Sequence, residues 1–380
     1  MDLTEQNKTM IYELGDLLSY EQPTPYIVES TDYDDKYNTP VLTAGKSFIL
    51  GYTNEQTGVY DKLPVIIFDD FTTSSRYVNF PFKVKSSAMK ILSANTDLVL
   101  PKYVYYRMQI IHLDHGTHKR YWIQQYSKIK ISVPSLEEQQ RIVARIEELF
   151  SQLDDAEATL QKTKAQLALY RQAVLKEAFD TIDGTECCID NVCKEIKVGI
   201  VIKPTQYYVD KDGIFAFRNA NVRRGYIDDC DWVMISKEGH IKNQKSEVHA
   251  GDVLISRSGA NLGMASPVPD KYDGYNAIDV VIAVPDKGAI IPAYLAYYTN
   301  SPMGRSIVKR NERGATQGHL NVTAYGRLPI VVPTLSEQQM IIEGIDAKTS
   351  VCDSIEQTVD ETLQQAKAMR QSILQRVFNE

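Results

Sequence analysis

A stretch that occurs twice in the chain decides the fold. Residues 131–140 read Ile-Ser-Val-Pro-Ser-Leu-Glu-Glu-Gln-Gln, and residues 330–339 read Ile-Val-Val-Pro-Thr-Leu-Ser-Glu-Gln-Gln. The offset between the two copies is 199 residues, and it holds without a gap to residues 179 and 378. Weaker matches continue upstream with smaller offsets, as insertions in surface loops would produce. The chain is therefore two copies of one unit, each a diverged domain followed by a well-preserved segment. The predicted boundaries are 1–133, 134–180, 185–332 and 333–380.

The preserved segment is predicted to be a long helix. Its apolar positions recur in alternating steps of four and three residues, the 3.5-residue period of a coiled coil. Ser135 with Glu138, and Thr334 with Glu337, have the spacing of a helix-capping box. We define the seam as the apolar row that this period places on one face. The predicted seam positions are Ile142, Ile146, Leu149, Leu153, Leu160, Leu167, Val174, Ile341, Ile345, Ile355, Val359, Met369 and Ile373.

Two helices with one apolar seam each need a partner. The simplest arrangement packs them on each other, and a compact chain makes the pair antiparallel, with the diverged domains held apart and related by a pseudo-two-fold axis. About 45 residues give each helix a length of roughly 67 Å. Homodimerisation through either helix is the alternative.

The diverged domains are predicted to be mixed α/β domains with many short strands. Turn residues such as Asp212-Gly213 and Gly251-Asp252 separate the apolar runs. The predicted strands are Ser47–Leu50, Val65–Phe68, Val253–Ser256, Val280–Val284 and Ile330–Val332. The predicted fold class is thus a duplicated α/β domain combined with a pair of long antiparallel coiled-coil helices.

Composition is that of a soluble globular protein, with 43% hydrophobic and 24% charged residues. The first residues lack the basic and apolar regions of a signal peptide, and no apolar run approaches the ~18 residues of a membrane span. Five cysteines without regular spacing favour free thiols, so we expect a cytoplasmic protein. The net charge of −7 is unlike a simple nucleic-acid binder. However, basic residues cluster at 72–90 and 305–327.

Motifs for catalysis are weak. Residues 40–47 resemble a phosphate-binding loop but begin with Pro and precede a strand-like run, whereas such a loop should open a helix. His112, His115 and His118 have metal-like spacing without a supporting carboxylate or thiolate cluster, so no metal is predicted. Asp69-Asp70 before Lys83 lacks the second carboxylate of a nuclease motif, and no Pro-Pro dipeptide of an adenine methyltransferase motif is present. We predict no catalytic residue.

Donor-rich loops are instead suited to binding. Arg can make two hydrogen bonds to the edge of one guanine, and Gln can do the same with adenine. Ser, Thr and backbone N–H groups bind phosphate. Turns alone would also explain such loops. The predicted DNA contacts are Lys46, Thr72, Thr73, Ser74, Arg76, Lys119, Arg120, Arg218, Asn219, Asn221, Arg223, Ser256, Arg257, Ser258, Thr316, Gln317, His319 and Asn321.

The whole chain resembles the specificity subunits of type I restriction–modification systems. The most specific marks are the repeated Pro-x-Leu-x-Glu-Gln-Gln runs, the Gly-Asp-Val-Leu-Ile-Ser-Arg-Ser-Gly loop at 251–259 and the Gly-Ala-Thr-Gln-Gly-His-Leu loop at 314–320. The first domain departs from the pattern, because Phe68-Asp69 stands where Ser256-Arg257 stands in the second.

The resemblance implies a non-catalytic subunit whose two domains each read half of an interrupted DNA target. It implies partners as well: double-stranded DNA, two modification subunits that methylate adenine at N6, and restriction subunits with translocase and nuclease activity. S-adenosylmethionine, ATP and Mg are then expected in the partner subunits, with no cofactor bound by this chain. Two alternatives are a degenerate methyltransferase or nuclease, and a structural adaptor that does not read bases.

Overall fold

The computed structural model describes residues 9–43, 47–113, 120–180, 182–312 and 319–379. It divides into two compact units: unit 1 contains residues 1–160 and 361–380, and unit 2 contains residues 161–360. The two division points are 200 residues apart, close to the 199-residue offset of the sequence repeat. Each unit therefore takes the first part of one long helix and the last part of the other.

The elements of the first copy are β1 (Met10–Glu13), α1 (Leu14–Leu17), β2 (Leu18–Glu21), β3 (Thr39–Leu42), β4 (Ile49–Thr53), β5 (Val65–Asp69), β6 (Ser75–Val78), β7 (Lys83–Val84), β8 (Met89–Ala94), α2 (Pro101–Met108), α3 (Tyr121–Gln124), β9 (Lys130–Val133) and α4 (Leu136–Asp180).

The elements of the second copy are β10 (Thr185–Cys188), β11 (Cys193–Val198), β12 (Tyr208–Val209), β13 (Ile214–Phe217), β14 (Val233–Ile235), α5 (Lys237–Lys242), β15 (Glu247–Val248), β16 (Val253–Ser256), β17 (Ala265–Pro267), β18 (Tyr275–Ala277), β19 (Val280–Pro285), α6 (Pro292–Asn300), α7 (Pro302–Glu312), α8 (Val322–Gly326), β20 (Pro329–Val332) and α9 (Leu335–Asn379).

The strands repeat the same topology in each unit. Unit 1 has an antiparallel sheet in the order β2-β8-β5-β6, and unit 2 has its equivalent, β11-β19-β16-β17. Each unit adds a second sheet with one parallel pair, β3 with β7 in unit 1 and β13 with β18 in unit 2. A two-stranded ribbon, β1-β9 or β10-β20, brings the start of each domain to its end, directly before the long helix. The predicted duplicated α/β fold is confirmed.

The five predicted strands all form, with bounds that shift at most by a few residues. Val253–Ser256 is β16 as predicted, whereas the run predicted at Ser47–Leu50 forms β4 two residues later, at Ile49–Thr53. A strand after residues 40–47 also excludes the phosphate-loop arrangement, in which that segment should open a helix.

Both predicted long helices form, and each has 45 residues. At the start of α9, the Thr334 hydroxyl accepts from the Glu337 N–H, and the Glu337 carboxylate accepts from the Thr334 N–H and hydroxyl. These bonds, first the one from the Thr334 hydroxyl, lower the pKa of Glu337. Ser135 accepts from the Glu138 N–H at the start of α4. No helix among the described residues is both long enough and apolar enough to span a membrane.

Most of the predicted seam is covered by packing. The fully buried members are Ile146, Leu153, Val174, Ile345 and Val359, and the partly buried members are Ile142, Leu149, Leu160, Leu167, Ile341 and Ile373. The assignment of Ile355 and Met369 is wrong, because their side chains are 41% and 52% exposed. Cys352 and Ala366, which were not among the predicted positions, are also buried on α9. Cys352 and Ala366 belong to the same row, so in α9 this row is covered at some positions and open to solvent at Ile355 and Met369.

Ion pairs between the two helices repeat with the sequence. In unit 2, Arg171 on α4 bonds Asp353 at 2.5 Å and Glu356 at 2.6 Å on α9. In unit 1, Arg370 on α9 pairs with Asp154 and Glu157 on α4. Each residue of one set is the 199-residue counterpart of a residue in the other. Lys164 with Asp360 and Lys348 with Glu177 follow the same antiparallel register in unit 2, which confirms the antiparallel pairing.

The Glu-Gln-Gln run fastens each long helix to its own domain. Gln139 is fully buried; its side chain accepts from the Leu100 N–H and donates to the Leu98 and Pro134 carbonyls. Gln338 makes the corresponding bonds to Ile291, Ala289 and Pro333 in unit 2. The segment held in this way leads directly into α2 or α6, so one glutamine fixes the junction between the domain and the helix.

The end of each long helix packs on the domain of the other copy. In unit 1, Phe378 makes an edge contact with Tyr103 on α2, with ring centroids 5.5 Å apart. In unit 2, Phe179 makes the same contact with Tyr294 on α6, at 5.3 Å. Both tyrosine hydroxyls donate to a backbone carbonyl of β9 or β20. Burial raises the pKa of Tyr103 to about 12, as expected of a structural tyrosine.

Candidate nucleic-acid interface

In unit 1 the tight turn between β5 and β6 carries three of the predicted contacts. Asp69 holds this turn, because its carboxylate accepts from the Phe71 N–H at 2.8 Å and from the Thr72 N–H at 3.1 Å. Thr73 has a left-handed φ of 58°, which a non-glycine residue adopts only where its surroundings demand it. Thr72 and Ser74 are exposed on the rigid turn and can donate hydrogen bonds.

The neighbouring carboxylate, Asp70, is structural. It accepts from the Trp122 N–H at 2.8 Å and lies 3.7 Å from the buried ammonium of Lys90. Lys83 is likewise buried and pairs with Glu55 at 2.7 Å. The bond from Lys83 and those from the backbone N–H groups of Ser30 and Glu29 lower the pKa of Glu55. The acids and lysines that gave the sequence a nuclease-like appearance therefore hold the domain together.

A polar cleft of about 340 Å³ opens beside the turn, between residues 72–75 and the segment that follows α2. Arg76 is exposed on β6, at the same edge. Burial raises the pKa of Tyr105, and the nearby Arg76 guanidinium partly opposes that shift. Arg120 is exposed as well. The remaining predicted contacts of this domain, Lys46 and Lys119, lie outside the described residues, as do His115 and His118.

In unit 2 the equivalent loop, between β16 and β17, is organised by Asn219. Its side-chain oxygen accepts from the Arg257 N–H at 2.8 Å and from the Ser256 hydroxyl at 3.0 Å. Its amide donates to the Ser258 hydroxyl and to the Asp279 carbonyl, both at 3.0 Å. The structure therefore brings four of the predicted contact residues, Asn219 and 256–258, into one cluster.

Arg257 is held in place by a carboxylate that the sequence did not single out. Its Nη1 lies 3.0 Å from Asp279, a residue with a left-handed φ of 53°. Arg257 also accepts, through its carbonyl, a bond from the Leu320 N–H, so the residues just before α8 lie against this loop. His319 is partly buried beside it. No sequence signal marked Asp279 beyond the tolerance of Asp for this backbone conformation.

Two predicted contacts are positioning residues instead. Ser256 and Asn221 are fully buried, so the prediction that they contact DNA directly is wrong. Asn221 accepts from the Arg218 N–H and donates to the Asp228 and Cys230 carbonyls, which closes the loop after β13. A polar loop residue can bind a ligand or satisfy a buried group, and these two do the latter, as buried amides and hydroxyls usually do.

The other candidates of unit 2 surround this loop. Arg223 pairs with Asp228 at 3.0 Å, and Arg218 donates to the Asp231 carbonyl. Asn321 is exposed and caps α8 by accepting from the Thr323 N–H. Thr316 and Gln317 lie outside the described residues. Within the part of the chain that the structure describes, no group of three or more His, Cys, Asp or Glu side chains could hold a metal.

Both units thus present the same device: a loop after the central strand of the main sheet, held rigid by a buried or half-buried polar side chain and displaying hydroxyl and guanidinium donors. The sequence profile of the type I restriction modification DNA specificity domain matches residues 7–166 and 201–365, one match for each copy. A duplicated domain of this kind, joined to paired long helices, defines the class of DNA-specificity subunits.

Two relatives agree with this class, and a solved structure shares the fold. The chain is 32% identical over 361 residues to the EcoR124I/EcoR124II specificity subunit, a type I restriction enzyme subunit of Escherichia coli, covering 90% of this chain and 87% of that protein. It is 25% identical over 275 residues to the EcoBI specificity subunit of Escherichia coli, covering 65% of this chain and 57% of that protein. A structure from a study of type I R-M complex assembly shares the fold, with a TM-score of 0.68, 18% identity and 97% coverage of both chains. The chain belongs to the type I restriction–modification DNA specificity family.

Proposed function

We propose that this chain is the sequence-specific recognition subunit of a type I restriction–modification complex, with each domain reading one half of an interrupted target. The observation that carries the proposal is the duplicated loop: residues 70–74 in unit 1 and 257–264 in unit 2 follow equivalent strands, β5 and β16, in equivalent sheets. A DNA-binding loop that is present twice fits a target made of two separated half-sites, because each copy can contact one of them.

The proposal assigns chemistry to the partners. Two modification subunits, which bind S-adenosylmethionine, methylate adenine at N6, and restriction subunits use ATP and Mg to translocate and cleave DNA. This chain supplies no catalytic group and binds no cofactor, and it acts in the cytoplasm. The family membership and the specificity-subunit relatives support this division of labour.

The test is to purify the chain alone and together with its modification subunits. With labelled S-adenosylmethionine and target DNA, we expect methyl transfer only from the complex. DNA affinity of the acidic chain alone should be weak, should rise on adding the modification subunits, and should fall with salt because bound phosphates release counterions.

Sequencing the methylated adenines from cells that carry the system should give one interrupted target. Methyl transfer by the isolated chain would favour the degenerate-enzyme alternative. Assembly of a complex that methylates without sequence preference would favour the adaptor alternative. Tight, salt-insensitive DNA binding by the isolated chain would also contradict the proposal.

A further inference from the structure

Ala265 at the start of β17 joins two segments of unit 2 that are distant in sequence. Its carbonyl accepts from the Gly225 N–H at 2.9 Å and from the Asn300 amide at 2.7 Å, and its own N–H donates to the Asn300 side-chain oxygen at 3.0 Å. Gly225 belongs to the loop between β13 and β14, and Asn300 ends α6. The loop residue Arg224 is thereby brought next to the α6–α7 connection.

The first turn of α7 supplies a second arginine at this place. The Arg305 N–H donates to the Ser301 carbonyl, and its Nη1 is buried without a hydrogen-bond partner among the described residues. Burial and then the positive charge of Arg224 lower the pKa of Arg305. The positive charge of Arg224 therefore acts on the half-buried guanidinium of Arg305.

Three other arginines of unit 2 have carboxylate partners. Arg171 bonds Asp353 and Glu356, Arg223 bonds Asp228, and Arg257 bonds Asp279. For Arg224 and Arg305, by contrast, the described residues provide no ion pair. A half-buried cation beside a like charge is unfavourable unless an anion joins them, so this site lacks an anionic partner.

We propose that Arg224 and Arg305 together bind a phosphodiester group of the DNA backbone. Guanidinium groups suit this ligand because each can donate two parallel hydrogen bonds to phosphate oxygens. DNA is the favoured source of the anion because α7 lies against the recognition loop: a Cβ added to Gly263 would meet the Val308 side chain at 2.9 Å. The phosphate contact would set the register in which Arg257 meets the bases.

This inference rests on the proposed function, and its test separates the two. The variants are Arg305→Gln, Arg224→Gln and their combination, each purified with the modification subunits. Lys287→Gln is the matched control: Lys287 is exposed in the same unit but lies beside Gly251, at the opposite end of β16 from the loop. The measurements are the DNA dissociation constant between 50 and 200 mM salt, the methylated sequence and the melting temperature.

The salt slope is the slope of log DNA affinity against log salt concentration, and losing one phosphate contact should reduce its magnitude by about one. From 50 to 200 mM salt, the affinity of the variant should therefore fall roughly 3–4-fold less than that of the unchanged protein. Binding at low salt should weaken equally for target and non-target DNA, with the methylated sequence unchanged. The melting temperature of free Arg305→Gln should not fall, because the change removes a repulsion. Arg305→Lys should keep the salt slope and bind less tightly, since Lys acts as a point charge.

A salt slope like that of the Lys287→Gln control would overturn the inference. The inference would also be overturned if the variants no longer assembled with the modification subunits while the salt slope stayed the same. The two arginines would then bind an acidic surface of a modification subunit. A fall in melting temperature of both single variants would show that the arginines are structural. If the unchanged complex does not bind DNA selectively, the proposed function fails instead.

Discussion

At the scale of single residues, Arg257 is the sharpest probe of base recognition. Arg257→Ala should impair only the half-site read by the second domain, because the residue lies in the loop of unit 2. Loss of one base-edge contact should cost about 1–3 kcal/mol, or roughly 5- to 150-fold in binding, and relax the preference at one position. The measurement is binding of the complex to duplexes substituted one base pair at a time.

Asp279→Asn is the companion variant, because it removes the carboxylate that holds Arg257 and keeps a residue type that tolerates the left-handed backbone of position 279. It should weaken the same half-site less than Arg257→Ala does. Equal weakening of both half-sites by Arg257→Ala would mean that the assignment of one domain to one half-site is wrong. Unfolding of both variants would assign the pair a structural role.

The sequence predicts DNA-binding loops at these places but not the part that each residue plays in them. Ser256, Arg257 and Ser258 are adjacent and equally polar, yet only the structure shows that Ser256 faces inward to Asn219 while Arg257 reaches Asp279. The carbonyls that Asn221 satisfies belong to residues 228 and 230, across a loop whose path no local pattern fixes. Burial of a polar side chain depends on such partners, which propensity does not reveal.

At the scale of elements, the two glutamines of the Glu-Gln-Gln run give a matched pair. Gln338→Leu should destabilise the protein by about 1–3 kcal/mol, because the Ile291 N–H and two carbonyls lose buried partners. Gln339→Leu is the control, since Gln339 is exposed and bonds Glu343 on its own helix. Denaturant unfolding of the full chain measures both; equal effects would remove the junction role of Gln338.

The long helices were the most predictable elements, because a 3.5-residue period over 45 residues is a strong local signal. The period alone does not show which seam positions are covered by packing. It predicted that Ile355 and Met369 are covered, whereas both side chains are exposed. The repeat also preserved Asp154, Glu157 and Arg171 at 199 residues from Asp353, Glu356 and Arg370. Only the antiparallel packing explains why these polar positions were kept: they are partners of one another.

At the scale of the whole molecule, the helices are predicted to set the gap between the two half-sites. Seven residues inserted after Leu160 and seven after Val359 keep both sets of arginine pairs, because each insertion falls between the paired positions of its helix. Each helix grows by roughly 10 Å. With base pairs about 3.4 Å apart, the unspecified gap should lengthen by at most about three base pairs while the half-sites stay the same.

Methylome sequencing of cells that express the doubly lengthened variant with its modification subunits measures the gap. One insertion alone is the control, and it should destabilise the protein because the helices no longer match. An unchanged gap with full activity in the double variant would show that the helices do not set the spacing.

The division of the chain into units also has a consequence for its synthesis. Unit 2 is one uninterrupted run of residues, whereas unit 1 joins residues 1–160 to residues 361–380. At about 5–20 residues per second, a ribosome needs roughly 10–40 seconds to make the intervening two hundred residues. During that time the first domain is already outside the ribosome, but the segment carrying Phe378, which covers Tyr103, does not yet exist. The aromatic face of α2 therefore stays uncovered until residues 361–380 have been made, so unit 1, which begins first, is completed after unit 2.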